Sequence, residues 1–115
     1  MLLLGFELIK IPQSGVFVVY ILWSLLKIIT DVLKLEISNR FSEWEIAFYD
    51  HQPIARAAGI FEIYHGHEPD NEHQVCVILH ALREQHIQKF MEANSTAIAA
   101  SGQILESTNS AIHLN

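Results

Sequence analysis

The chain has 115 residues, half of them apolar, and a formal net charge of −6. That suffices for one packed domain and excludes disorder, and an acidic chain with no basic stripe interleaved with aromatics excludes nucleic acid as a partner. The single cysteine, Cys76, excludes an intramolecular disulfide and reads, among Val75, Val77 and Ile78, as a small hydrophobe in a strand.

Charge is distributed unevenly along the chain. Residues 1–30 carry only Glu7, Lys10 and Lys27, whereas residues 31–115 hold twelve acids, five bases and all seven histidines. The sequence therefore divides into a hydrophobic N-terminal segment, 1–30, and an acidic domain, 31–115. From Val16 to Ile29 the segment reads VFVVYILWSLLKII. A membrane-spanning helix needs about 20 residues, so an anchor has to extend over residues 13–33, with Lys27 reaching toward the headgroups. A hydrophobic helix serving as membrane anchor is the expectation, and Lys27, Lys34 and Arg40 against Lys10 place the domain in the cytoplasm. Tyr20 and Trp23 fall mid-span, where an aromatic belt does not belong. The alternative is an upstream extension of a cytoplasmic domain that begins near Asp31. A secretory signal fits worse, for want of a basic start and a small-residue cleavage site.

From Asp31 to Ser38 residues alternate, with Leu33, Leu35 and Ile37 on one face, which predicts a half-buried strand. Ser42-Glu43-Trp44-Glu45 has capping-box spacing, and Phe41, Trp44, Ala47 and Phe48 form an apolar stripe, so a helix is expected to begin at Ser42. Pro53 predicts a break near His51, with a short resumption that Gly59 ends. Ile60–His67 and His73–Ala81 flank turn residues and predict an antiparallel hairpin. Pairing residues whose numbers sum to 140 sets Phe61 opposite Leu79, Ile63 opposite Val77 and His67 opposite His73, which gathers the apolar residues on one face. Arg83–Ser101 predicts a second helix stopped by Gly102, and 103–114 a closing strand. The fold class expected is α+β, a ferredoxin-like βαββαβ unit with a four-stranded antiparallel sheet and two helices, preceded by the hydrophobic N-terminal helix.

Phe41-Ser42-Glu43-Trp44, then Phe48, Asp50-His51, Pro53 and Ala57-Ala58-Gly59-Ile60, with His80 ending a Val-rich strand and Phe90 in the second helix, resembles a family of small uncharacterised cyanobacterial proteins. That family is in turn similar to the dimeric α/β-barrel superfamily, which includes antibiotic-biosynthesis monooxygenase-like and stress-responsive barrel domains. The resemblance covers residues 31–114. It implies the same fold and a homodimer formed through the sheet, and it brings no assigned activity.

Two groups of side chains carry chemistry on this reading. Between Tyr64 and His73 lie three histidines and three acids. On the expected register His65, His67 and His73 share a face, with His67 and His73 opposed about 5 Å apart, so three imidazoles could converge on Zn²⁺, Ni²⁺ or Cu²⁺. Solvated residues at a hairpin tip are the competing and simpler explanation. On the opposite face Glu62, Tyr64 and His80 are the candidates for catalysis, Glu62 lying diagonal to His80 as a carboxylate that could hold the imidazole. A structural Glu–His pair in an interface is the competing explanation there. No nucleophile motif, phosphate loop or paired-cysteine site occurs, so an enzyme is not the favoured reading. The expected function is an interaction or small-ligand-binding module without a cofactor. The alternatives are a divalent-metal-binding hairpin and a cofactor-independent monooxygenase-like enzyme.

Overall fold

The alternation in the first strand decides which side of the sheet the helices cover. In β1 (Ile29–Ile37) every second residue, Ile29, Asp31, Leu33, Leu35 and Ile37, is buried, and the intervening Lys34 and Glu36 are exposed. The computed structural model describes residues 28–114. After β1 come α1 (Phe41–Ala57), β2 (Ile60–Glu68), β3 (Asn71–Ala81), α2 (Glu84–Ala93), α3 (Ser95–Ala100) and β4 (Gln103–Leu114). The strands form one sheet in the order β2-β3-β1-β4, all neighbours antiparallel. This is the ferredoxin-like α+β arrangement expected from the pattern.

The core sits between one face of that sheet and the helices. Leu33, Leu35, Ile37, Ile60, Val75, Val77 and Leu79 form its floor, and Trp44, Ala55 and Ile87 close it from above. Trp44 is 2% exposed, so one large ring anchors α1 to the sheet. One acid lies within this layer. Asp31 is 1% exposed, and its Oδ1 accepts a hydrogen bond of 2.6 Å from the Ser110 hydroxyl on β4, which offsets part of the cost of burying a carboxylate.

Several local expectations are corrected. The N-terminal helix and most of the anchor span 13–33 lie outside the described residues, but Ile29 to Leu33, assigned to the end of that span, are paired with β3 and β4 in β1. No helix among the described residues is long and apolar enough to cross a membrane. The first helix begins at Phe41, not at Ser42. Arg40 is its cap, with its backbone N–H donating to Glu43 Oε1 at 3.3 Å. The next amide, Phe41 N–H, donates to Glu72 Oε1 on β3 at 2.9 Å. A carboxylate from the sheet thus satisfies one of the helix's unpaired first-turn donors and favours its positive end. That leaves Glu45 free of any capping duty. Pro53 does not break α1, which runs unbroken to Ala57. The missing proline amide would have met the carbonyl of Tyr49, a residue 54% exposed, so water can take its place. The second helix is divided at Asn94, whose side chain donates to the Phe90 carbonyl at 2.9 Å and ends α2 before α3 begins.

Gly59 and Gly102 end helical segments with φ of +83° and +105°, the left-handed region that favours glycine. They differ in surroundings. A methyl group added at Gly59 meets nothing, whereas one added at Gly102 collides with the Asn39 side chain, which itself donates to the Ser101 carbonyl at 2.9 Å. Gly59→Ala is therefore expected to cost about 1 kcal/mol from backbone strain alone, and Gly102→Ala roughly 1–3 kcal/mol more. Urea unfolding of the two variants checks this order, and equal losses would contradict it.

Candidate functional site

Glu62 and His65 are three residues apart in β2, a spacing that puts side chains on opposite faces of a regular strand. Here they share a face. The pairing with β3 runs Ile60↔Ala81, Phe61↔His80, Glu62↔Leu79 and then jumps to Tyr64↔Ile78, His65↔Val77 and His67↔Val75. Ile63 is the extra residue, so β2 carries a bulge that puts His65 on the helix side with Glu62. Bulges are a recurrent way to re-aim a side chain beside a site.

The bulge builds a three-residue ion cluster. His65 Nδ1 lies 3.1 Å from Glu62 Oε2, and its Nε2 lies 2.7 Å from Glu45 Oε2 on α1. The Tyr49 hydroxyl donates to the same Glu45 oxygen at 3.3 Å. Rings of Phe41, Trp44, Phe48 and Tyr49 surround the imidazole, the nearest being Phe48 at 4.9 Å between centroids. The His65 side chain is 12% exposed. Burial acts to lower its pKa and is the largest single effect. The hydrogen bonds to Glu45 and Glu62, with their charges, together outweigh it and raise the group above its ordinary 6.5. Desolvation and the Glu45 charge likewise push the Tyr49 hydroxyl up, which keeps it a donor.

Beside this cluster is a partly open cavity of about 90 Å³ between the helices and the sheet. Its floor includes Leu33, Val77 and Leu79, and its walls include Trp44, Phe48, Ile87, Phe90, Met91 and Ile98. Glu62 also lines it, with His51, Gln52, Ser101 and Gln103. No lysine or arginine does. The cavity is thus apolar with one carboxylate at its wall, and that carboxylate is held in place by His65.

The sequence candidates divide between the two faces. Tyr64 and His80 lie on the open face away from the helices, as expected, but Glu62 does not join them, because it pairs with the core residue Leu79 and shares the helix side with Ile60. The diagonal Glu62–His80 pair is corrected accordingly: His80 stands opposite Phe61 and Thr30. His65, His67 and His73 do share the helix side, yet the opposition of His67 and His73 is not formed, since His67 pairs with Val75. Their ring nitrogens are also engaged separately, His67 Nδ1 on the Glu68 carbonyl at 2.8 Å and His73 Nδ1 on the Ile37 carbonyl at 2.9 Å. Among the described residues no group of three His, Cys, Asp or Glu side chains is placed to hold a metal ion. Glu45 and Tyr49 were missed by reading the sequence. Their i, i+4 spacing on α1, next to the Trp44–Phe48 stripe, was the available signal.

With this geometry in view, known proteins give a consistent fold and no activity. A family model described as a domain of unknown function, DUF3764, matches residues 28–115, and the chain belongs to that family. No curated protein sequence matches the chain. Among solved structures, a Bordetella bronchiseptica protein described provisionally as an antibiotic biosynthesis monooxygenase is similar at a TM-score of 0.60 and 9% identity, over 77% of this chain and 97% of the other. A Nitrosomonas europaea protein of the same description is similar at 0.58 and 8%, over 76% and 89%. SnoaB, a cofactor-independent oxygenase from Streptomyces nogalater, gives 0.48 and 16%, over 77% and 91%. The first two likenesses establish a shared fold.

The His65 cluster makes stability depend on pH in a definite direction. A group whose pKa is raised on folding contributes fully below its unfolded value, and the contribution is lost as pH rises through the folded value. The His65 resonance in an NMR titration should therefore turn above 6.5, and Glu45→Gln should lower that midpoint. Thermal stability should fall across the same interval in the wild-type chain and not in His65→Gln. A midpoint at or below 6.5 would contradict the cluster.

Proposed function

We propose that this DUF3764 chain is a small-ligand-binding module, with its ligand seated between the helices and the sheet. The observation that carries this reading is the cavity itself, with the Glu62 carboxylate fixed at an otherwise apolar wall. An empty cavity of about 90 Å³ costs a fold about 2 kcal/mol, a cost that a bound apolar body would remove. Voids of roughly 100–150 Å³ with apolar walls stay dry and take up xenon or benzene-sized molecules. The helical wall is able to give way to larger bodies, because α2 buries only Ile87 and α3 buries no residue, and Met91 is an adaptable filler.

The open face of the sheet is covered, on this proposal, by a second copy of the chain. Phe61 and Tyr64 are 51% and 50% exposed there, beside Val32, Ile78 and Ala111 in neighbouring strands. Aromatic side chains left half in water on a sheet face are what a homodimer interface buries.

A cofactor-independent monooxygenase-like activity is the second reading. It is favoured by the same carboxylate, since Glu62 is placed to accept a proton from a molecule in the cavity. Tyr64 and His80, on the far face, take no part in it.

Two measurements test the binding module. Ala97 lines the cavity, and Ala97→Leu should fill it, abolishing the xenon-induced shifts of the Ile87 and Ile98 methyl groups seen by NMR in the wild-type chain; absence of shifts in the wild type would sink the reading. Light scattering should give a dimer for the wild type and a monomer for the double variant Phe61→Asp, Tyr64→Asp. A wild-type monomer would remove the second copy from the proposal.

A further inference from the structure

We propose that the ligand is a small amine, bound as its ammonium ion with the charged end at Glu62 and the apolar body among the rings. This rests on reading the cavity as a ligand site. Much of the donor capacity along its wall is engaged within the protein. His51 Nδ1 is engaged by the Ala47 carbonyl at 3.0 Å, Gln52 Nε2 donates to the Phe48 carbonyl at 3.3 Å, and Gln103 Nε2 donates to Thr108 Oγ1 at 3.0 Å. Glu62 accepts from His65 through Oε2, and its Oε1 has no hydrogen-bond partner among the described residues. What remains along the wall is a carboxylate oxygen, two amide oxygens and an imidazole nitrogen as acceptors, against the second N–H of each glutamine amide as a donor.

Charge narrows the class further. The Glu45–His65–Glu62 cluster sets two carboxylates around one imidazole, and no lysine or arginine lines the cavity to balance the acids. An anion is repelled. A hydrocarbon leaves the carboxylate oxygen facing apolar surface, which is costly. An alcohol satisfies the oxygen but leaves the charge. An ammonium ion supplies up to three donors and the missing positive charge, and Trp44, Phe48 and Phe90 offer aromatic surface suited to a cation and its alkyl chain.

The test compares xenon, n-butylamine and n-butanol on the full chain by NMR at neutral pH, in wild type and in Glu62→Gln. The amine should bind about tenfold more tightly than the alcohol, the scale of one charged hydrogen bond. In Glu62→Gln the two should agree within about twofold. If xenon enters the cavity but amine and alcohol bind alike in the wild type, or the amine preference survives in Glu62→Gln, the amine inference is overturned and the cavity reading stands. If xenon does not enter the wild-type cavity, the cavity reading falls and the inference falls with it.

Discussion

The imidazole of His65 joins two elements that have no other ionic link. One nitrogen meets Glu45 on α1 and the other meets Glu62 on β2, so the first helix is held over the sheet by charge as well as by Trp44. Each contact needs the others. Without the bulge at Ile63, Glu62 and His65 would point to opposite faces. Were Glu45 occupied in capping α1, His65 would lose its shortest contact. Glu72, reaching from β3 to the Phe41 amide, takes up the capping work that leaves Glu45 free. The cavity's single carboxylate is thus positioned by a chain of dependencies running through three elements.

This also accounts for the polarity of the two faces. A regular β2 running on from the buried Ile60 would place Tyr64 inward and His65 outward, giving a more apolar core and no partner for Glu62 beneath the helices. The bulged strand exchanges them: Tyr64 is half in water and the His65 side chain is 12% exposed. The exchange costs apolar burial, at about 25 cal/mol per Å², and puts an aromatic residue where a second chain can cover it. One irregularity in one strand thereby shapes both the ion cluster beside the cavity and the open face of the sheet.

The topology was legible because it rests on repeated signals. Leu33, Leu35 and Ile37 alternate, Trp44 and Phe48 recur at helical spacing, and Gly59 and Gly102 stand where helices must stop. The core side of β1 and β3 followed from those patterns alone. The site was legible only in part. A register argument that maximises apolar pairing assumes an unbroken ladder, and the real hairpin trades one apolar contact for an ion pair. Glu45 was unavailable to the reading for a related reason, since Ser42 and Glu45 match a capping box whose work Arg40, Glu43 and Glu72 perform. Local rules failed at the positions where long-range charge contacts set the geometry.

The histidine cluster that dominates the sequence between Tyr64 and His73 resolves into three separate roles. His67 and His73 each lend a nitrogen to a backbone carbonyl, and His73, through Ile37, ties β3 to the end of β1. Only His65 is enclosed by rings and by charge. A metal ion at His65 would have to displace a proton that two carboxylates stabilise, and would find the neighbouring imidazoles turned toward the backbone. The surroundings of His65 therefore favour its protonated form: the ring fills the position between Glu45 and Glu62, and Glu62 in turn lines the cavity wall.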